Sequence, residues 1–126
     1  MSELRDRIDD LAERASADRR AFDPPAQPPD EDRALAYLRD GVGDAVAAYV
    51  EARTGEFVAL DDAEMTRLER ATNDWLELYA RCHGREMDAA FTVREVAETT
   101  LATRDVVDAA QLLTGVPERR EVADAE

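Results

Sequence analysis

Apolar side chains recur along this chain at alternating steps of three and four, the spacing of one face of an α-helix. The broadest such stripe lies between Leu60 and Gly84. Met65, Leu68, Thr72, Trp75, Tyr79 and Cys82 fall on one side of a helix, and Ala71, Leu76 and Leu78 widen that side to an arc of about 160°. Arg67, Glu69, Arg70, Asn73, Asp74, Glu77 and Arg81 fall outside the arc, and Glu64 in the first turn breaks the partition. Asp61 can cap this helix, Glu64 completes a capping box, Leu60 can staple onto Met65, and Gly84 suits a left-handed stop. A face this wide, carrying the only Trp, is expected to meet two or three other helices. The predicted core is therefore Met65, Leu68, Trp75, Tyr79 and Cys82, joined by Val96 and Val107 from the last helical stretch.

Residues 3–22 place Leu4, Ile8, Leu11, Ala15 and Phe22 on a narrow stripe, with Ser2 as a cap. A stripe of about 100° buries little, so the helix must lean on something else. Two supports stay open: the chain's own bundle, or a second copy meeting it through Leu4, Ile8 and Leu11. Residues 23–30, DPPAQPPD, hold four of the five prolines, and proline stops a helix by lacking the amide donor. A stiff, extended linker is expected there. A second helix should run from Asp30 to about Arg53, with Leu35, Leu38, Val42, Ala45, Val46, Tyr49 and Val50 on one side. Gly41 and Gly43 beside that stripe each cost about 1 kcal/mol relative to Ala. They either admit a neighbouring helix closely or mark a bend near Gly41. Tyr37, on the polar side, marks a contact surface. Thr54-Gly55 ends the helix, and residues 56–59, EFVA, form an apolar connector.

After a linker or short helical turn at 84–91, Thr92 caps, Glu95 closes a second box and Phe91 staples to Val96. The pattern continues to Thr114, with Gly115 and Pro117 as the stop and a charged tail beyond. This segment is not uniform. Val93, Val96, Ala97, Thr100 and Leu101 share one face, whereas Val106, Val107, Ala110 and Leu113 share another, rotated by about 100°. Either one long helix changes neighbours along its length, or it breaks near Leu101–Thr103 and Thr103 caps a second helix. In the broken form, residues 92–114 resemble a helix-turn-helix, with Ala97 at the helix crossing and Val107 turned to the core. That resemblance implies a second helix docked in the major groove, with Arg94 and Arg104 as positioning residues and Asp105, Asp108 and Gln111 along its outer side. The second helix carries more acid than base.

The expected architecture is all-α: a bundle of three or four helices with an N-terminal amphipathic helix on a proline-rich linker. Its divisions are 1–22 for the first helix, 23–30 for the linker, 31–115 for the helical core and 116–126 for the tail.

Charge changes the setting. Thirty acids face 16 bases, net −14, and every base is Arg. Acidic chains are often disordered, but periodic stripes this regular argue for folding. The lysine-free, Asp/Glu/Ala/Val-rich composition resembles that of proteins from extremely halophilic archaea. In molar salt the Debye length is about 3 Å, so a carboxylate surface stays hydrated while its self-repulsion is screened. Net charge therefore discriminates poorly among partners, since phosphate contacts lose most of their counterion-release benefit there too.

Candidate chemistry adds little. A single cysteine excludes an internal disulfide and a multi-cysteine zinc site. Cys82 and His83 are adjacent on a helix, so they point about 100° apart and do not form a nucleophile–base pair. His83, Glu86 and Asp88 share one loop but lack metal-ligand spacing. There is no glycine-rich phosphate loop and no membrane-length apolar run, and the stretch MSELRDRIDDL lacks a signal peptide's apolar core. The expectation is a cytoplasmic, non-enzymatic interaction or regulatory module with no cofactor, metal or evident small-molecule ligand. Its partner would be a protein or a second copy. A transcription-associated DNA-binding protein is the alternative.

Overall fold

The computed structural model describes residues 3–54 and 60–117. Ser2, Gly55, the 56–59 connector and the tail from residue 118 lie outside the described residues. The fold is all-α, with no strand among the described residues. In chain order the elements are α1 (Glu3–Ala21), α2 (Glu31–Ala36), a π-helical segment (Tyr37–Val42), α3 (Gly43–Thr54), α4 (Asp62–Cys82), α5 (Val93–Thr103) and α6 (Val106–Thr114). From α2 to α3 the helix is continuous, so the chain forms five rods.

α4 is the hub. Both bonds of its capping box are made: Glu64 N donates to Asp61 Oδ1 at 2.8 Å and Asp61 N to Glu64 Oε1 at 3.1 Å. His83 closes the helix and Gly84 follows at φ 80°. Leu68, Trp75, Leu76, Leu78, Tyr79 and Cys82 are buried, whereas Met65 is only half-buried.

α1 seats its stripe on α4 and α3. Leu4, Ile8 and Leu11 are 4 %, 0 % and 1 % exposed, so the surface that stood open to a second copy is covered by the chain itself. Polar pairs fix the register. Arg5 meets Glu64, Asp9 meets Arg67, and Arg19 meets Asp74 and Glu77, so α1 and α4 run parallel. Arg7 meets Glu51 and Arg14 meets Asp44, so α1 and α3 run antiparallel.

The proline-rich segment is not a free spacer. Asp30 N donates to the Cys82 carbonyl at 2.8 Å, and Arg33 Nη2 donates to the Asp23 carbonyl at 2.6 Å. The Arg33 guanidinium lies 4.7 Å from the Phe22 ring centre, and Phe22 in turn meets Tyr37 at 6.5 Å. Tyr37 is thus half-buried against its own chain rather than free for a partner. Pro28 packs beside Gly84, so the linker lies across the end of α4.

Both accounts of the glycine pair meet in one place. The π turn spans Gly41, and a Cβ there would stand 2.4 Å from Trp75 Cδ2. No side chain fits beneath the indole.

Residues 92–114 form two helices. The break falls at Arg104, in the left-handed region at φ 61°, slightly later than the Leu101–Thr103 expectation. Thr103 is not the cap: its hydroxyl donates back to the Thr99 carbonyl at 2.9 Å. Asp105 caps instead, accepting from Val107 N at 2.7 Å and Asp108 N at 3.4 Å. Val96 is buried, but Val107 is half-buried, because it edges a small cavity of about 190 Å³ shared with Leu35, Tyr79 and His83.

Replacing Gly41 by Ala drives a methyl into the indole, and overpacking of this kind costs about 1–3 kcal/mol. G41A should unfold at markedly lower urea than wild type in molar KCl. G43A, whose Cβ would sit 3.2 Å from the Leu38 carbonyl, should shift the midpoint less. Equal midpoints for wild type and G41A would refute the close Gly41–Trp75 packing.

Candidate functional site

The outer arc of α4 is polar in sequence, and the fold uses it to hold main chain. Glu69, Asn73 and Glu77 stand four residues apart, hence on one helix face. Glu77 Oε2 accepts from Ala89 N at 2.8 Å, and Asn73 exchanges two bonds with Phe91, accepting at 3.0 Å and donating at 2.9 Å. Glu69 Oε2 accepts from Val93 N at 3.1 Å, satisfying a first-turn amide of α5. This polar seam ties the connector after α4 in place and so positions the α5–α6 pair. Glu77 is 8 % exposed, not the solvated residue its place in the pattern suggested.

On α5, Val93, Val96 and Ala97 are buried and Arg94, Glu95, Glu98, Leu101 and Ala102 face outward. On α6 the outward residues are Asp108 and Leu112, with the Asp105 cap before them. Leu101 is 63 % exposed and Leu112 56 %, and no other large apolar side chain is so exposed among the described residues. Leu101 had shared the core face in the sequence pattern; in the fold it continues the exposed stripe of Arg94 and Glu98. The outer face also carries four carboxylates, at Glu95, Glu98, Asp105 and Asp108, against the guanidiniums of Arg94 and Arg104.

Arg94 Nε is 2.9 Å from Glu98 Oε2, so this guanidinium is already paired on its own helix. Arg104 stands exposed at the corner. Two of the first amides of α6, those of Val107 and Asp108, are taken by the Asp105 side chain, which leaves fewer donors there for a phosphate.

At the other end of α4, Cys82 is fully buried, and burial pushes its thiol up. The half-buried His83 ring stands edge-on to Tyr79, 5.0 Å between centres, and burial pulls its pKa down. Glu86 and Asp88 are exposed, and no three His, Cys, Asp or Glu residues gather in metal-binding geometry among the described residues. No described helix is long and apolar enough to cross a membrane. The Glu64 carboxyl, nearly buried, is held below the usual carboxylate range by the hydrogen bond from Arg5 at 2.6 Å.

The chain belongs to the family described as a domain of unknown function, DUF8055, whose model matches residues 2–118. No curated protein and no solved structure matches it.

Tyr79 gives a pH-dependent signature for the α4–α6 end. Its hydroxyl donates to the Val116 carbonyl at 2.5 Å, and burial pushes its pKa up to about 12. The folded-state value lies above the unfolded one, so this contribution is complete below about pH 10 and is lost as pH rises through 12. Y79F should lower stability at neutral pH by about 1–3 kcal/mol, because the buried Val116 carbonyl loses its donor. It should also flatten the alkaline fall. Urea midpoints measured from pH 8 to pH 12 test both effects, and a wild-type fall as steep in Y79F would sink the assignment.

Proposed function

We propose that this protein is a non-enzymatic interaction module of a salt-rich cytoplasm, docking a partner protein on the outer face of α5 and α6. The observation that carries the reading is the pair of exposed leucines, Leu101 and Leu112, both on this helical pair. Large apolar groups left in water stabilise whatever covers them, at about 25 cal/mol per Å² buried. At molar ionic strength charges act only within about 3 Å, so apolar burial supplies affinity and close charge pairs supply orientation.

The rim selects the occupant. With Glu95, Glu98, Asp105 and Asp108 exposed on or at the ends of the two helices that carry the leucines, a complementary partner presents apolar side chains flanked by basic ones. A second copy would bring acid against acid on this face. Dimerisation through Leu4, Ile8 and Leu11 would require α1 to leave α4 and expose its buried stripe.

The second reading is the DNA-binding one, favoured by the sharp corner at Arg104 that separates two short helices. Against it stand the acids on the outer side of α6 and the engagement of Arg94 by Glu98.

A photo-reactive phenylalanine derivative placed at Leu101 or Leu112 in living cells tests both readings. The protein-partner reading expects one and the same polypeptide trapped from both positions and not from the exposed control position Ala17. The trapped peptide should carry apolar residues among arginines or lysines, and L112E should abolish trapping at position 101. Trapped nucleic acid would favour the alternative. Peptides of this chain itself, or no adduct at either position, would overturn the proposed partner.

A further inference from the structure

Between α1, α4 and the connector after α4 lies an open groove of about 670 Å³, within the size range of small-molecule sites. It is independent of the α5–α6 face. Its chemistry is unusual for a chain of net charge −14, because three guanidiniums line it: Arg19, Arg67 and Arg70.

Two carboxylates are also present, but they are already matched. Arg19 Nη1 donates to Glu77 at 2.7 Å and to Asp74 at 3.0 Å, and Glu77 accepts from Ala89 N with its other oxygen. Arg67 gives Nη2 to Asp9 at 2.9 Å, while its Nε is buried with no hydrogen-bond partner among the described residues. Arg70 is exposed and makes no ion pair or hydrogen bond among the described residues. Arg67 and Arg70 are three residues apart, on one face of α4, where like charges repel. An oxyanion bridging their outer nitrogens relieves that repulsion.

The rest of the groove suits an organic anion better than a bare ion. Ala12 and Ala89 offer small apolar surfaces from two facing walls, leaving room for a flat or aliphatic body beside the charged end. We infer that the groove between α1 and α4 binds a metabolite-sized organic anion, its phosphate or carboxylate group held by Arg67 and Arg70 and its body resting on the alanines. In molar salt the repulsive field of the whole molecule is screened beyond about 3 Å, so direct guanidinium contacts decide the binding.

Isothermal titration in molar KCl with AMP, succinate and inorganic phosphate tests this, with amide chemical shifts as the second readout. AMP or succinate should bind saturably and more tightly than inorganic phosphate; which of the two binds distinguishes a phosphate from a carboxylate ligand. Asn73 and Ala89 resonances should move. R70A, at an exposed position that leaves the helix intact, should weaken binding by about tenfold or more. R70K should weaken it less, and R39A, on the remote π segment, should leave it unchanged. Absence of saturable binding, affinity no better than that of inorganic phosphate, or binding indifferent to R70A and R67A would each overturn the inference.

Discussion

The structure depends on the seating of one indole. Trp75 projects from α4 and lies on Gly41, where any Cβ would collide with the ring. Its Nε1 donates to Asp18 at 2.9 Å, and the Arg14 guanidinium stands 5.6 Å from the ring centre. Three elements therefore meet at a single side chain: α1 through Asp18 and Arg14, the π segment through Gly41, and α4 itself. Arg14 also donates to the Asp40 carbonyl at 2.5 Å, joining α1 to the π segment directly. A buried aromatic of this size removes about 150–250 Å² from water, worth on the order of 4–6 kcal/mol at 25 cal/mol per Å². An exposed ion pair contributes about 0–1 kcal/mol. Burial at Trp75 holds the elements together, and the ion pairs around it only choose among alignments.

Those pairs nevertheless define the topology. The sequence of matches from Arg5–Glu64 through Asp9–Arg67 to Arg19–Glu77 keeps α1 parallel to α4 along its whole length. A slip of one turn would break these matches, setting Asp9 opposite Glu64 in one direction and Arg5 opposite Arg67 in the other. With arginine as the sole basic residue type, each scarce cation supplies a planar, multi-donor group, and Arg19 uses it to serve Asp74 and Glu77 together.

α4 works on both sides. Its apolar arc builds the core, while Glu69, Asn73 and Glu77 capture the backbone between Ala89 and Val93. That capture has two results. It sets the start of α5, and hence the direction in which Leu101 and Leu112 are displayed. It also lays Ala89 beside the arginines of α4, closing the third wall of the groove. The apolar face and the arginine-lined groove thus share one scaffold while offering different chemistry.

Local grammar was legible in the sequence: the capping boxes at Asp61–Glu64 and Thr92–Glu95, the stop at Gly84, and the apolar arc of α4 depend on neighbours within one helical turn. The shift of apolar face after Leu101 signalled a change, and tertiary packing resolved it as a break closed by Asp105 rather than Thr103. Folding alone decided what each stripe would meet. The residues of α1 left both a helix packed on its own bundle and a dimerising arm open, and in the fold α4 covers them. Glu77 and Arg67 fell outside the apolar arc, and residues 12 or 58 places away in the chain supplied their partners. Periodicity records which side of a helix is apolar. Only the assembled fold determines which surfaces remain uncovered, because that depends on groups the local pattern does not bring together.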